Sequence, residues 1–404
     1  MNIKKIITIF AILITLIFTA LAIKNKEKTA DELVFWTLQM RDFSPYITKV
    51  ISNFENENPN VKIKWVDIPF SEGEKRTLAS ILSDNPPDLV NLNPDFSTLL
   101  AQKGTLTEIS DMDLTQFPKS IVDGMKYNGK NYFIPWYATS ALTFYNKNEI
   151  AKLGLKTPQT YDEVLEICHN GFASKDKYLL MFNFSENDSM LKLLNKYGIN
   201  SAENIASEEA IELFKRLKEA YKIGCFPKES ITQSHREALE KFMAGEVLLF
   251  EGGSNFLNLI KENAPKTFVQ TALSHQLTSQ NGKYNFSMMN FIIPIKSKKQ
   301  AEALKFALYL TNEENQLELG KLTNILATNE NALNNEFYSQ TGDIFAQARA
   351  ISAKQLKNIQ PIPFYPNRKD VILLINNTTQ KIFLEQDSVE NALNKLRSEL
   401  LRMN

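Results

Sequence analysis

The segment Tyr127–Glu163, YNGKNYFIPWYATSALTFYNKNEIAKLGLKTPQTYDE, decides how the fold is read. Asn128-Gly129 is a tight-turn dipeptide flanked by aromatic and β-branched residues, so Tyr132 to Tyr145 reads as extended chain broken only at Pro135. Asn146 and Lys147 start a polar turn into a short helix that Gly154 ends. Thr160 with Glu163 forms a capping box, and Val164, Leu165, Ile167 and Cys168 follow at helical spacing. A long strand thus leaves one compact unit and enters another, with Trp136 and Tyr137 at its middle. Neighbouring residues in extended chain face opposite ways, so at most one of these rings points squarely into a cleft, and Trp136 is favoured.

On the N-terminal side, strands and helices alternate. Leu33 to Leu38 reads as a buried strand. Ser44 caps a helix with Pro45 at its first position, and Ile47, Val50, Ile51 and Phe54 repeat at helical spacing until Pro59. Val61, Ile63 and Trp65 alternate with Lys62 and Lys64, as in a strand with one buried face. A helix around Glu74 to Leu82 then leads through Pro86-Pro87 into a third strand, Asp88-Leu89-Val90. Such alternation begins an α/β domain with a parallel sheet. Ligands of open α/β sheets bind beyond the carboxyl ends of strands, which singles out the loops Trp36–Met40 and Asn91–Asp95. Further on, Ser234 with Glu237 caps a helix ended by Gly245, and the strand Val247 to Phe250 runs into Glu251-Gly252-Gly253-Ser254-Asn255. Asp387-Ser388 cap a last helix with the apolar stripe Val389, Ala392, Leu393, Leu396 and Leu400.

The order of these motifs resembles the family 1 extracellular solute-binding proteins of bacterial ABC importers, the group of maltose, oligosaccharide and glycerol-phosphate binding proteins. The residues that carry the likeness are Tyr127, Gly129, Lys130, Tyr132, Pro135, Tyr145-Asn146-Lys147, Gly154-Leu155, Pro158, Thr160 and Asp162-Glu163. Phe133 stands where the family usually has Gly, and Tyr161 where it has Trp. Companions are Asn58-Pro59, Val61-Lys62-Ile63, Pro87 to Val90, Gly104-Thr105-Leu106, Gly253-Ser254, Asn290 to Pro294 and Thr311 to Gln316. The resemblance implies an α/β, two-lobed periplasmic-binding-protein fold of type II, each lobe a mostly parallel sheet flanked by helices, with a ligand cleft and hinge strands between. Lobe one would combine residues 31–138 with 275–326, and lobe two residues 142–265 with 330–404. It also implies a non-catalytic protein that captures a sugar or related solute and delivers it to the transmembrane subunits of an ABC permease, as a monomer. The family's glycines before Asn290 are replaced here by Ser287, Met288 and Met289, which should narrow that wall of the site.

Composition agrees with an exported, two-domain chain. At 404 residues and 43% hydrophobic content it is long enough for two cores. With 46 basic and 46 acidic residues it lacks the electrostatic footprint of a nucleic-acid binder. Its histidines and cysteines show no metal-ligand spacing, and no phosphate-loop, zinc-protease or hydrolase-elbow string occurs, so neither metal nor cofactor is expected. Lys4-Lys5, the uncharged run Ile6 to Ile23 and Ala20-Leu21-Ala22 make residues 1–23 a signal peptide or an N-terminal membrane anchor, and the folded part periplasmic or extracytoplasmic. Cys168 and Cys225 could bridge in such a compartment, but two free thiols are the favoured reading, because a chain this large needs no staple.

A sugar ring offers apolar C–H faces and hydroxyl edges, so its site needs flat aromatic surfaces and fixed hydrogen-bonding groups. Trp36, Trp136, Tyr137 and Tyr365 are the candidate surfaces; Gln39, Asn93, Thr139, Glu251, Ser254, Asn255 and Asn290 are the candidate partners. Two other readings stay open. A glycerol phosphate or phosphodiester would need an arginine such as Arg41 or Arg368, and Gly252-Gly253-Ser254 could form an anion nest. An exported carbohydrate-active enzyme would need paired carboxylates, for which Glu251 and Asp95 are the candidates.

Overall fold

The computed structural model describes residues 32–403 except 173–176, 324, 361, 363, 364 and 366. The leader therefore lies outside the described residues, as does most of the proline-rich run 361–366. The chain forms two compact units. The first takes residues up to Leu92, Gly104–Thr107 and Phe291–Leu310; the second takes Asn93–Lys103, Glu108–Asn290 and Thr311–Asn404.

In the first unit β1 (Glu32–Leu38) pairs in parallel with both β2 (Lys62–Ile68) and β3 (Leu89–Leu92). The helix Ser44–Glu57 buries Ile47, Val50 and Phe54 of the expected stripe together with Tyr46, while Ile51 is only half-buried; its N-cap is Phe43, and Ser44 already lies inside it. Phe54 and Phe35 both pack on Phe306, at 4.8 and 5.3 Å between ring centroids. Full burial of a ring of this size contributes about 2–3 kcal/mol. Beyond the end of β1, Asp67 accepts hydrogen bonds from the Thr37 hydroxyl (2.6 Å) and from the backbone N–H groups of Met40 (2.8 Å) and Arg41 (3.1 Å). That clamp holds the intervening Gln39 in a left-handed backbone conformation, φ 53°.

In the second unit β4 (Ile134–Thr139) and β5 (Ala141–Asn146) are one extended run interrupted at Ser140. Pro135 lies inside β4, so the break falls five residues later than the proline suggested. Strands β6 (Tyr178–Leu180), β7 (Val247–Gly253) and β8 (Thr271–His275) complete a sheet with β5 in the order β6-β7-β5-β8. This sheet is mixed: β6 and β7 run parallel, while β5 is antiparallel to β7 and β8. Strand β9 spans Ser287–Ile292, and β10 (Leu326–Ala327) pairs antiparallel with Tyr137 and Ala138 of β4. The capping boxes at Thr160 and Ser234, the left-handed Gly245 and the buried stripe of the final helix, Val389–Met403, are all present.

The cysteines correct the expectation of free thiols. Cys168 and Cys225 are bonded, with Cα atoms 5.7 Å apart. Both sit in the second unit's largest core, Cys168 near the end of the helix Tyr161–His169 and Cys225 just past the helix Glu208–Lys222.

Candidate functional site

Strand ends and helix starts build a cavity of about 510 Å³ in the second unit. The β4–β5 junction brings Thr139, Ser140 and Ala141; the carboxyl end of β7 brings Glu251, Gly252 and Gly253; the first turn of the helix Tyr161–His169 brings Tyr161. Opposite charges organise the wall. Glu251 Oε2 accepts from the Tyr161 hydroxyl and Oε1 accepts from Leu277 N–H at 2.8 Å. Lys196, on the helix Ser189–Lys196, is buried and donates through Nζ to the Leu277 carbonyl. Burial pushes the Lys196 ammonium down to about 8, against the pull of the Glu251 carboxylate, which raises it.

Amides fix the floor. Gln276 donates from Nε2 to Asn285 O (2.7 Å) and Ser140 Oγ (3.2 Å), and its N–H donates to Gln355 Oε1 (2.7 Å). Gln355 Nε2 in turn reaches Ser140 Oγ at 2.9 Å. A buried polar network with its members paired in this way is rigid, so the junction between β4 and β5 is held in one geometry. The rings of Phe182, Phe256 and Phe286 also line the cavity and are only partly buried, which leaves apolar faces open beside the polar wall.

A second cavity of about 390 Å³ lies in the same unit and shares Lys192, Phe286 and Ser287 with the first. Arg368 is clamped there between Asp95 (Nε to Oδ2, 3.1 Å) and Asp188 (Nη2 to Oδ2, 2.9 Å), and Lys192 also pairs with Asp188 at 3.0 Å. These cations hold the Asp188 carboxyl below its ordinary value although burial alone would raise it.

Rings, amides and paired charges thus line both cavities, and the family model described as bacterial extracellular solute-binding protein matches residues 49–346. The chain belongs to this family. The multiple sugar-binding protein of Streptococcus mutans is 25% identical over 335 residues, which cover 76% of this chain and 78% of that protein. A crystal structure of a periplasmic-binding protein from Synechococcus sp. MITs9220 is similar at a TM-score of 0.80 and 26% identity, covering 92% of this chain and 98% of that one. The sugar-binding protein MalE of Xanthomonas citri shares the fold at a TM-score of 0.79 and 18% identity over 92% and 97% of the two chains. The two sheets flanked by helices are thus those of a type II periplasmic binding protein.

The structure of this solute-binding protein brings some of the sequence candidates together and scatters others. Thr139, Glu251 and Asn255 line the first cavity, and Asn93 lines the second. Asn93 also caps the helix Pro94–Gln102 by accepting from Phe96 N–H at 2.9 Å. Trp136 reaches neither cavity: it is fully buried, and its carbonyl accepts from Gln316 and Thr328. Tyr137 is half-buried with its ring 5.0 Å from that of Trp136, and burial pushes its hydroxyl up to about 12. Asn290 is core, donating to Ser97 Oγ at 3.0 Å, and the Tyr365 hydroxyl is taken by Asn200 O. Ser254 is half-buried at the start of the helix Phe256–Asn263, where its carbonyl accepts from Leu257 N–H at 3.1 Å. In the first unit Trp36 is half-buried with the Arg76 guanidinium 6.0 Å from its ring centroid, and Gln39 is exposed. Sequence reasoning missed Tyr161, Lys196 and Gln276 as wall residues and chose tryptophans over Phe182, Phe256 and Phe286. Ser287 does stand at the wall expected to be narrowed.

Gly252 and Gly253 form no nest, since both are paired strand residues with no left-handed φ. Gly252 is required for another reason. A Cβ there would lie 2.6 Å from the buried Phe250 ring and 2.7 Å from Phe256. Gly252→Ala is therefore expected to cost about 1–3 kcal/mol of stability by overpacking and to push Phe256 toward the cavity, weakening solute capture. A denaturant titration and a calorimetric Kd read both effects; an unchanged midpoint would refute the close-approach argument.

Proposed function

We propose that this protein captures a neutral sugar or oligosaccharide outside the cytoplasmic membrane and presents it, unaltered, to the transmembrane subunits of an ABC permease. The observation that carries this reading is the charge balance of the cavity walls. Rings and amides suit a polyol, and the lysines and the arginine that line the cavities each have a carboxylate beside them: Lys196 has Glu251, Lys192 has Asp188, Lys126 has Asp111 and Asp123, and Arg368 has Asp95 and Asp188. A neutral guest needs no spare charge, whereas an anion would need one. The family match and the multiple sugar-binding relative support the same direction.

The phosphate reading loses both its arginines, because Arg368 is already held between Asp95 and Asp188 and Arg41 lines neither cavity. The enzyme reading loses its pair, because Asp95 is tied to Arg368, Glu251 is tied to Tyr161 and Leu277, and the two carboxylates line different cavities. In this reading the protein is a monomer whose lobes, residues 31–138 with 275–326 and 142–265 with 330–404, close on the guest, and ligand shifts the population because only the closed form contacts it from both sides.

A thermal-shift screen of the exported chain tests this. Neutral mono- and oligosaccharides, polyols and glycerophosphates are compared, with mass spectrometry of the recovered ligand. At a hundredfold excess over Kd a true ligand adds about 2.7 kcal/mol. A neutral sugar that raises Tm and returns intact is the expected result. A rise confined to glycerophosphates, or recovery of cleaved sugar, would overturn the proposal.

A further inference from the structure

Resting on that reading, we infer that Ser140 is a binding residue whose hydroxyl donates its proton into the 510 Å³ cavity, to a hydroxyl oxygen of the guest, and so selects an acceptor at that point over an ammonium or amide N–H. Ser140 is the single residue between β4 and β5, and it lines the cavity while only 8% exposed. Its oxygen receives two hydrogen bonds, from Gln355 Nε2 at 2.9 Å and from Gln276 Nε2 at 3.2 Å. Backbone groups fix the orientation of both amides. Gln276 Oε1 accepts from Asn285 N–H at 3.1 Å while its Nε2 donates to Asn285 O at 2.7 Å. Gln355 Oε1 accepts from Gln276 N–H at 2.7 Å while its Nε2 donates to Ala141 O at 2.9 Å. A backbone N–H only donates and a carbonyl only accepts, so neither amide can be turned over, and each presents an N–H to Ser140. A hydroxyl has two lone pairs and one proton, and here both lone pairs are taken. Among the described residues its one acceptor is Ala141 O at 3.5 Å, which already receives the Gln355 amide and lies beyond the reach of about 2.5–3.0 Å of an O–H···O bond. The proton is left for the cavity. Because the buried amides hold the oxygen in place beforehand, little ordering is required when a guest arrives. A sugar hydroxyl suits such a donor, since its oxygen accepts while its own proton serves a second partner; an N–H there would set donor against donor.

Titration calorimetry of the parent protein and Ser140→Ala with D-glucose, D-galactose, D-mannose, maltose and cellobiose tests the inference. Each sugar that the parent binds is expected to bind the variant roughly three- to tenfold more weakly, the worth of one hydrogen bond. In Ser140→Ala both amides keep their backbone partners, and its melting temperature without sugar checks that the junction survives. Monodeoxy derivatives of the tightest-binding sugar separate binding from a merely structural role. Removing the hydroxyl at one position should cost the parent a similar factor and Ser140→Ala almost nothing, whereas a damaged junction would weaken every derivative equally. On the parent alone, which needs no variant to fold, an amino group at that position should bind worse than hydrogen. Variant affinities within about twofold of the parent's, losses that multiply strictly at every position, or amino derivatives that match the deoxy ones throughout overturn this inference and leave sugar capture standing. Failure of every one of these sugars to bind the parent overturns both.

Discussion

Glu251→Leu is expected to destabilise the second unit by about 3–5 kcal/mol and to abolish solute capture, the largest effect of any single substitution in the cavity wall. The carboxylate accepts from Tyr161 and Leu277 and sits near the buried Lys196 ammonium. Removing it leaves two donors unmatched and a cation in the interior without its countercharge, and each of those losses is costly. If the pairing argument holds, Lys196→Met should rescue part of the loss, because a buried charge without its partner is worse than neither. A double-mutant cycle measured by chemical denaturation is expected to give a coupling energy above about 1 kcal/mol. Strict additivity would show that the two side chains do not sense each other.

The same lysine sets a pH signature. Its ordinary value is 10.5, and burial lowers it to about 8 in the folded protein. Between those values the unfolded chain binds the proton and the folded chain does not, so stability rises with pH; below about 8 both forms are protonated and the full penalty, about 3 kcal/mol, is present. Tyr161 acts with the opposite sign. Burial, and then Glu251, push its hydroxyl well above the ordinary 10.0, so stability falls as the unfolded tyrosine ionises above that pH. The expected outcome is a melting temperature that climbs from about pH 8 toward 10 relative to Lys196→Met, whose curve lacks that rise. Parallel curves for the two proteins would mean that Lys196 keeps an ordinary proton affinity.

Much of the fold was legible because local chemistry decided it. Capping boxes at Thr160 and Ser234, and the stripe from Val389 to Leu400, need only short-range rules. Pro135 misled because a proline ends a strand only where its missing N–H would serve a ladder. On the β10 side β4 pairs through Tyr137 and Ala138 alone, which leaves Pro135 outside that ladder. The pleat around Trp136 was also readable as a period without a sign. Trp136 and Ala138 are buried while Tyr137 and Thr139 are more open, so the alternation was right, but only tertiary packing assigned the tryptophan to the interior. The phenylalanine faces of the cavity were illegible for a related reason: Phe is core by default, and what opens these three is their place at element boundaries, Phe182 just past β6, Phe256 at the first position of the helix Phe256–Asn263 and Phe286 just before β9. Lys196 and Gln276 gave no signal, since neither belongs to a motif and each acts through partners far along the chain, Leu277 for Lys196 and Ser140 and Gln355 for Gln276.

Removing the Cys168–Cys225 bridge is expected to cost about 2–4 kcal/mol, close to the other large effect but by a different route. The bond closes a loop of 57 residues, and the chain entropy that such a loop gains when opened corresponds to about 4 kcal/mol, less whatever the reduced chain recovers by relaxing. Cys168 lies on the helix whose first turn carries Tyr161, and Cys225 follows the helix Glu208–Lys222 that packs against it. The bridge therefore ties the cavity wall to the core of the second unit without touching the guest. Cys168→Ala with Cys225→Ala should lower the denaturation midpoint, and reduction of the parent protein should lower it equally, while the Kd for a sugar at 25 °C stays within about twofold. A midpoint insensitive to reduction would mean the loop is already restrained by packing. A lost affinity at unchanged stability would instead place the bridge in the binding event. The chain's only two cysteines are thus spent on one bond, and such a bond persists where thiols are not kept reduced, which is the compartment a captured extracellular solute first meets.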